Sequence, residues 1–297
     1  MKPQLTVFTP AYNRAYTLYK CYESLKSQTD TNFKWLIIDD GSTDNTKELV
    51  ESWMSEDILD ITYIYQENQG MHGAHNTAYE NIDTELNVCI DSDDYMPNDA
   101  VEKIIKFWNK NKRDDLAGIA GLDSYEDGSI IGTKFPESLK ESTLFDLYHK
   151  EGVKGDKKLV YRTELTKNYP YPIFEGEKYV GLAYKYTKID ETHKLALMNE
   201  VLCIVEYMED GSSRNMLKQY RKNPKGFAFF RVENMKNPKA NIIFKFKENI
   251  HYVSSSFLSK NKRFIQESPE KLITLLAIPI GILLWGYIMI KTIEDKR

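Results

Sequence analysis

Asp91, Asp93 and Asp94 crowd three carboxylates into the stretch Cys89-Ile90-Asp91-Ser92-Asp93-Asp94. Like charges this close repel one another, and the cluster directly follows an apolar, strand-like run at 85–90. A hard divalent cation would offset the repulsion, because carboxylate oxygens are its preferred ligands. The Asp-x-Asp spacing lets one carboxylate bind such an ion directly. A second would then act through water or hold a sugar hydroxyl. The competing structural role is a turn that caps the next helix, and capping needs one Asp or Asn rather than three.

Three more polar loops suit the same chemistry. Ile38-Asp39-Asp40-Gly41-Ser42 offers acceptors for a base N–H or a ribose hydroxyl. Plain helix capping there would need only Ser42 or Thr43. Tyr12 in Thr9-Pro10-Ala11-Tyr12-Asn13-Arg14 presents a flat ring on which a base could stack, and Arg14 could meet a phosphate. A core tyrosine and a surface arginine are the bland alternatives. Asn68-Gln69-Gly70-Met71-His72-Gly73-Ala74-His75-Asn76 opens a helix, whose backbone N–H groups suit a diphosphate or ribose. His72 and His75 lack a third ligand nearby and make a poor metal pair. No GxxxxGK[ST] occurs, and no GxGxxG lies at the first strand, which disfavours P-loop and dinucleotide enzymes.

Two acidic stretches lie further on. Glu175 and Glu177 sit at the start of a helix expected over 176–187, where acids answer the helix dipole or one serves as a general base. Glu206, Glu209 and Asp210 form a loop that would add a metal contact or bind an acceptor.

The elements that must position these groups alternate. Strand-like runs at 5–9, 33–38, 61–66 and 85–90 are interleaved with helical patterns at 16–27, 44–54, 72–81 and 99–110, the last capped by Asn98. Such alternation predicts an α/β fold with a mostly parallel sheet flanked by helices. In open sheets of this kind, ligands bind outside the carboxyl ends of the strands. All four loops follow a strand, so they converge on one rim. Strands at 115–121, 157–161 and 195–207 and helices near 142–150 and 176–187 would complete the same domain. Further helices are expected at 213–222 and within 226–266.

In order and spacing, TPAYNR, IIDDGSTDNT, NQGMHGAHN and DSDD resemble the family 2 glycosyltransferases. The resemblance is close over 4–110 and looser through FEGEKYVG and CIVEYMEDGSS to about 213. It implies an inverting enzyme with the GT-A, Rossmann-like fold, a nucleotide-diphosphate-sugar donor (UDP being the expected carrier) and Mn2+ or Mg2+. It implies donor contacts from Pro10, Tyr12, Arg14, Asp39, Asp40, Gly70, His72, Asn76, Asp91 and Ser92. In it Tyr12 stacks on the base, Asp40 accepts from it with Asp39 in support, and Asp91 touches the sugar or ribose. Asp93 becomes the metal ligand, with Asp94 as the alternative. The family's base is an acid near the start of a later helix, often the second of a Glu-Asp pair. Glu175-Gly176-Glu177 departs from that pair, so Glu177 is the expected base and Glu175 the reserve. Two other readings share parts of this pattern: a sugar-phosphate nucleotidyltransferase, and a non-catalytic nucleotide- or carbohydrate-binding membrane module. The first should carry a Gly-rich, basic signature near the first strand, which TPAYNR lacks.

Charge divides the chain. Residues 1–213 carry a net −15, whereas 214–263 carry 13 Lys/Arg against two acids. A basic segment of this kind seeks a polyanion, and the apolar run beyond it favours membrane over nucleic acid. Residues 272–290 make up that run, nineteen positions without a charge, bracketed by Lys271 and Lys291. That length reaches across a bilayer core at about 1.5 Å per residue. Pro279 and Gly281 make a broken helix or hairpin as plausible as a straight one. The expected organisation is a catalytic domain over 1–213, a basic helical membrane-proximal segment over 214–267, and an apolar membrane-associating tail over 268–297. A lipid-linked or glycan acceptor would require anionic lipid contact at the cytoplasmic face of the plasma membrane, with the protein peripheral or anchored by its tail. Residues 1–12 run straight into a strand pattern, so no signal peptide is expected. Cys21, Cys89 and Cys203 are dispersed and expected to be reduced thiols.

Overall fold

The computed structural model describes residues 2–206 and 216–294. They divide into two compact units. The first comprises residues up to 170 together with 188–206, and the second comprises 171–187 and 216–294.

The first unit is built on an eight-stranded sheet. Its strands are β1 (Leu5–Ala11), β2 (Phe33–Asp39), β3 (Ile61–Tyr65), β4 (Leu86–Cys89), β5 (Leu116–Ser124), β6 (Glu141–Ser142), β7 (Lys157–Arg162) and β8 (Lys194–Ile204). Their spatial order is β3-β2-β1-β4-β7-β5-β8-β6. β1 pairs in parallel with β2 on one side and β4 on the other, and β2 pairs in parallel with β3. Every residue of β1 is buried, as a central strand covered on both faces requires. The winding order of the strands reverses between β1 and β4, which is where open α/β sheets bind ligands. Beyond β4 the sheet is mixed. β7 runs antiparallel to both β4 and β5, and β5 pairs in parallel with β8.

Helices α1 (Ala15–Lys26), α2 (Thr46–Glu56), α3 (Met71–Asn81) and α4 (Ala100–Asn111) follow the first four strands. α4 buries Ile104, Ile105 and Trp108 on one face, as its apolar spacing predicts. Its N-cap is Asp99, not Asn98; the carbonyl of Asn98 instead accepts the N–H of Thr29 at 2.8 Å. Between α1, α2 and the sheet, Tyr22 stacks on Trp53 with ring centroids 4.4 Å apart, and Trp35 lies 5.9 Å from Trp53. The buried indole of Trp35 donates to Thr9 at 2.9 Å, so the polar tip of this large side chain is satisfied. The short helices α5 (Leu144–His149) and α6 (Thr163–Thr166) complete the sheet's surroundings, and α7 (Ala183–Ile189) runs across the unit boundary.

The helix expected over 176–187 starts only at Ala183. A turn at 174–177 precedes it, closed by the Glu177 N–H on the Phe174 carbonyl at 3.0 Å, with Gly176 left-handed (φ 76°). A helix cannot pass through that backbone conformation.

The second unit is helical: α8 (Met216–Lys222), α9 (Pro224–Lys236), α10 (Ile242–Leu258), α11 (Phe264–Glu267) and α12 (Lys271–Glu294). Segment 171–187 packs against α9 through Tyr179 stacked on Phe227 at 4.7 Å and Tyr184 edge-on to Phe229 at 4.9 Å. α12 continues through Pro279 without a break, so there is no hairpin.

Candidate active site

The loop after β1 is tied to the loop after β2 by Asn13. Its backbone is left-handed (φ 52°), its N–H donates to Ser42 Oγ at 2.8 Å, and its side-chain oxygen accepts from Thr43 N–H at 2.7 Å. Sequence reasoning passed over Asn13, although Asn is the residue that best tolerates this conformation after Gly. Pro10 lies within β1, opposite Ile38 of β2. Tyr12 stands 49% exposed beside it, free of the core-packing role. Arg14 donates to the Tyr16 hydroxyl.

Asp39 and Asp40 are both buried, and each organises a loop. Asp39 accepts from the Ser42 N–H at 2.8 Å and the Tyr63 hydroxyl at 2.5 Å. Asp40 accepts from Gln66 Nε2 at 2.7 Å and from the N–H groups of Gln69 and Gly70, each at 2.8 Å. It thereby holds the 66–70 loop against the end of β2. Gly41 (φ 84°) is needed at this seam, because a Cβ there would lie 2.9 Å from Asn68 N. α3 then starts with Gly70 at its N-cap (φ 82°), and a helix N-terminus of this kind suits an anion. His72 and His75 are buried on its inner side, and Asn76 is half-buried. His75 belongs to the core: its Nδ1 bonds the Met71 carbonyl at 2.9 Å and its ring sits edge-on to Phe8 at 5.2 Å.

The acidic turn after β4 sorts its three carboxylates. Asp94 is only 5% exposed. It accepts from the Glu206 N–H at 3.2 Å and from the Cys203 thiol at 3.8 Å, both at the end of β8. Tyr95 and Ile204 exchange backbone hydrogen bonds of 3.1 and 2.7 Å, stitching the turn to that strand. Ser92 is buried, whereas Asp91 and Asp93 remain partly open to solvent. Glu206 also pairs with Lys20, and Glu209 and Asp210 lie outside the described residues.

One participant was invisible in the sequence. Lys158, in β7, donates to the Cys89 carbonyl at 3.3 Å, at the end of β4. Burial opposes its charge, but Cys203, Asp123, Asp94 and Asp91 together hold it protonated. The acidic turn thus has one cation of its own, brought by an antiparallel neighbour nearly seventy residues away in the chain.

Burial pushes the Asp94 carboxyl up to about 7; Lys158 pulls it back, and Asp91 and Asp93 push it up again. An unfolded Asp titrates near 3.9. The folded state therefore binds the proton more tightly between about pH 4 and pH 7, and stability is lost as pH rises through that window. Asp94→Asn keeps an oxygen for the Glu206 N–H and cannot ionise. Its thermal stability relative to the parent is expected to increase from about pH 4 to about pH 7 and then level off. A constant difference across that range would show that Asp94 titrates normally.

Asp91 and Asp93 are the rim carboxylates that would hold a divalent cation. Among the described residues, no three Asp, Glu, His or Cys side chains cluster as a complete cage. Asp91 and Asp93 instead offer the one or two carboxylates with which Mg2+-type ions are held when substrate phosphates and water supply the rest.

In the second unit, Glu175 is exposed in the loop before α7. Glu177 is 8% exposed and caps α9 with both oxygens, accepting from Lys225 N–H at 3.0 Å and Gly226 N–H at 2.8 Å. That use answers the helix dipole from outside the helix. Glu177→Ala should lower stability by about 2 kcal/mol, read as a shift in the urea or thermal transition. An unchanged transition would mean that the cap contributes nothing.

A parallel half-sheet with acid-rich loops at its carboxyl rim places the chain among the α/β proteins whose ligands bind at that edge. Residues 6–169 match the Glycosyl transferase family 2 model, and the chain belongs to that family. Glycosyltransferase GlyA of Streptococcus pneumoniae is 37% identical over 103 residues, which are 35% of this chain and 15% of that protein. Chondroitin synthase of Pasteurella multocida is 31% identical over 141 residues, 47% of this chain and 14% of that one. The matched stretch is thus about a seventh of these relatives. In fold the chain is similar to S. aureus TarS 1-349 in complex with UDP-GlcNAc (TM-score 0.62, 18% identity, covering 95% of this chain and 81% of that one). It is also similar to the mannosyltransferase PcManGT from Pyrobaculum calidifontis in complex with GDP-Man and Mn2+ (TM-score 0.56, 18% identity, covering 95% and 74%). The sheet and its helices are therefore of the GT-A kind, as expected.

Proposed function

We propose that the protein is an inverting, metal-dependent glycosyltransferase. It moves a sugar from a nucleoside-diphosphate donor, UDP-linked, to a hydroxyl of a lipid-linked or polysaccharide acceptor. The observation that carries this reading is the sorting of the acidic turn: Asp94 folds inward while Asp91 and Asp93 stay on the rim. Tyr12 offers its ring to the base. Asp40, fixed at the end of β2 by Gln66 and by the N–H groups of Gln69 and Gly70, would face the base N–H. Asp39 closes the loop after β2 through the Ser42 N–H. The N-terminus of α3, with Gly70 at its entry, and Arg14 suit the diphosphate. Asp91 and Ser92 would hold the sugar or ribose.

Glu175, which caps no helix, takes the proton from the acceptor hydroxyl. That oxygen attacks the anomeric carbon on the face opposite the diphosphate, whose bond breaks as the new one forms. Mn2+ or Mg2+ held by Asp93, with Asp91 assisting, would neutralise charge growing on the departing diphosphate. Glu177 supports the Glu175 loop by anchoring it to α9.

The enzyme works at the cytoplasmic face of the plasma membrane, with 214–267 and α12 meeting anionic lipid. The basic excess and the long apolar helix support this. Incubation with a panel of nucleotide sugars and Mn2+ tests the assignment. Free nucleoside diphosphate is expected; pyrophosphate released from a nucleoside triphosphate and a sugar phosphate in a parallel incubation would mark a nucleotidyltransferase instead, and binding without turnover a non-catalytic module.

A further inference from the structure

α12 is long and apolar enough to cross a membrane, and only 22% of its apolar window is buried. A core helix of a soluble protein would be mostly covered. One narrow stripe of α12, however, is packed from end to end on its own unit. Thr274, Ala277, Gly281, Ile288 and Thr292 are buried. At the start, Glu270 pairs with Lys245, and Thr274 Oγ donates to the buried Asn249 Oδ1 at 2.5 Å. In the middle, Gly281 meets Val253 so closely that an added Cβ would lie 2.5 Å from it. Further on, Trp285 lies 5.9 Å from Phe257. At the far end Arg221 of α8 donates to Thr292 at 2.9 Å. The contacts advance together along both chains, so α10 and α12 run parallel.

These ties decide the topology. A spanning α12 would draw its partners into the hydrocarbon with it. Those partners carry Lys245, Lys247, Glu248 and Asn249 on α10 and Arg221 on α8, and α10 is in turn tied through Glu248 to Arg231 of α9. Drawing those charges towards the hydrocarbon is expensive. The uncovered side of α12 is uniformly apolar, with Leu272, Leu276, Leu283 and Ile290 each more than 60% exposed. The unit around it is basic. Its two acids within 214–263 are paired internally, Glu248 with Arg231 at 3.1 Å and Glu233 with Lys236 at 2.6 Å. A second copy would bring the same positive surplus to the contact and be repelled, whereas an anionic lipid surface is complementary to it.

Resting on the membrane-surface reading above, we propose that α12 lies in the plane of an anionic membrane, its outer face immersed and its inner face on α10. It does not cross. The apolar face sinks into the headgroup–acyl boundary while the basic residues meet lipid phosphates.

The test adds the full chain to preformed phosphatidylcholine vesicles with and without phosphatidylglycerol. Co-sedimentation is expected with phosphatidylglycerol. Leu276→Glu combined with Leu283→Glu should weaken it by roughly tenfold or more while leaving the circular dichroism and melting unchanged, because both residues are exposed. In Lys271→Cys and Lys291→Cys chains, a membrane-impermeant maleimide should label both ends of bound α12 without detergent, above the background of the parent's own cysteines. If one end is protected until detergent is added, α12 spans and the in-plane proposal is overturned, with the membrane reading intact. Absence of binding to any vesicle overturns the membrane reading itself. A concentration-dependent dimer abolished by the same two substitutions, without vesicle binding, would assign the face to a second copy.

Discussion

Glu175→Gln is expected to lower the rate of sugar transfer by roughly 10²–10⁴-fold, the range lost with a general base. Donor binding and melting should be unchanged, because the Glu175 side chain is exposed in its loop and caps no helix. The contrast is Glu177, whose two oxygens already receive backbone N–H groups of α9. Its replacement should cost stability first, with any activity loss tracking the melting change. Single-turnover rates at saturating donor, measured beside melting curves for both variants, separate the roles. A Glu175→Gln enzyme of full rate, together with a stable but inactive Glu177→Gln enzyme, would return the base to Glu177.

Asp93→Asn is the second large effect. Metal stabilisation of a departing phosphate is worth several kcal/mol, so metal-dependent release of nucleoside diphosphate should fall by roughly a thousandfold. A measurement independent of turnover is Mn2+ binding in the presence of UDP, by electron paramagnetic resonance or calorimetry. Asp93→Asn should lose it. Asp94→Asn should keep it, since Asp94 faces the end of β8 and is occupied by Glu206 and Cys203. Mn2+ affinity equal to the parent's in Asp93→Asn, with loss in Asp94→Asn, would reverse the assignment.

The parallel half of the fold was legible because each signal there is local. β1 to β4 are apolar runs that stop at turn residues, and the chemical groups of the rim lie within a few positions of those stops. The rest depended on partners distant in the chain. That Asp94 rather than Asp93 is turned inward depends on a backbone N–H at Glu206, and the cation Lys158 reaches Cys89 only because β7 lies antiparallel beside β4. Nothing in Lys157-Lys158 marks one lysine as part of an acidic site. Glu177 reads as an acid at the start of its own helix, yet it caps a different helix about fifty residues on. The two-residue β6 is too short for any periodicity to reveal.

The seam between α10 and α12 bears on how the protein can be handled. A tail so apolar invites removal to obtain a chain that stays in solution. Cutting before Lys271 would strip the cover from Asn249 and Val253 of α10. It would leave a hydrogen-bonding amide and an apolar groove open in the unit that also holds Glu175 and Glu177 in place. A shortened protein would then gain solubility and lose the scaffold of its proposed base, and its inactivity would be misread as a need for lipid. Replacing the outward leucines while keeping the helix separates attachment from architecture.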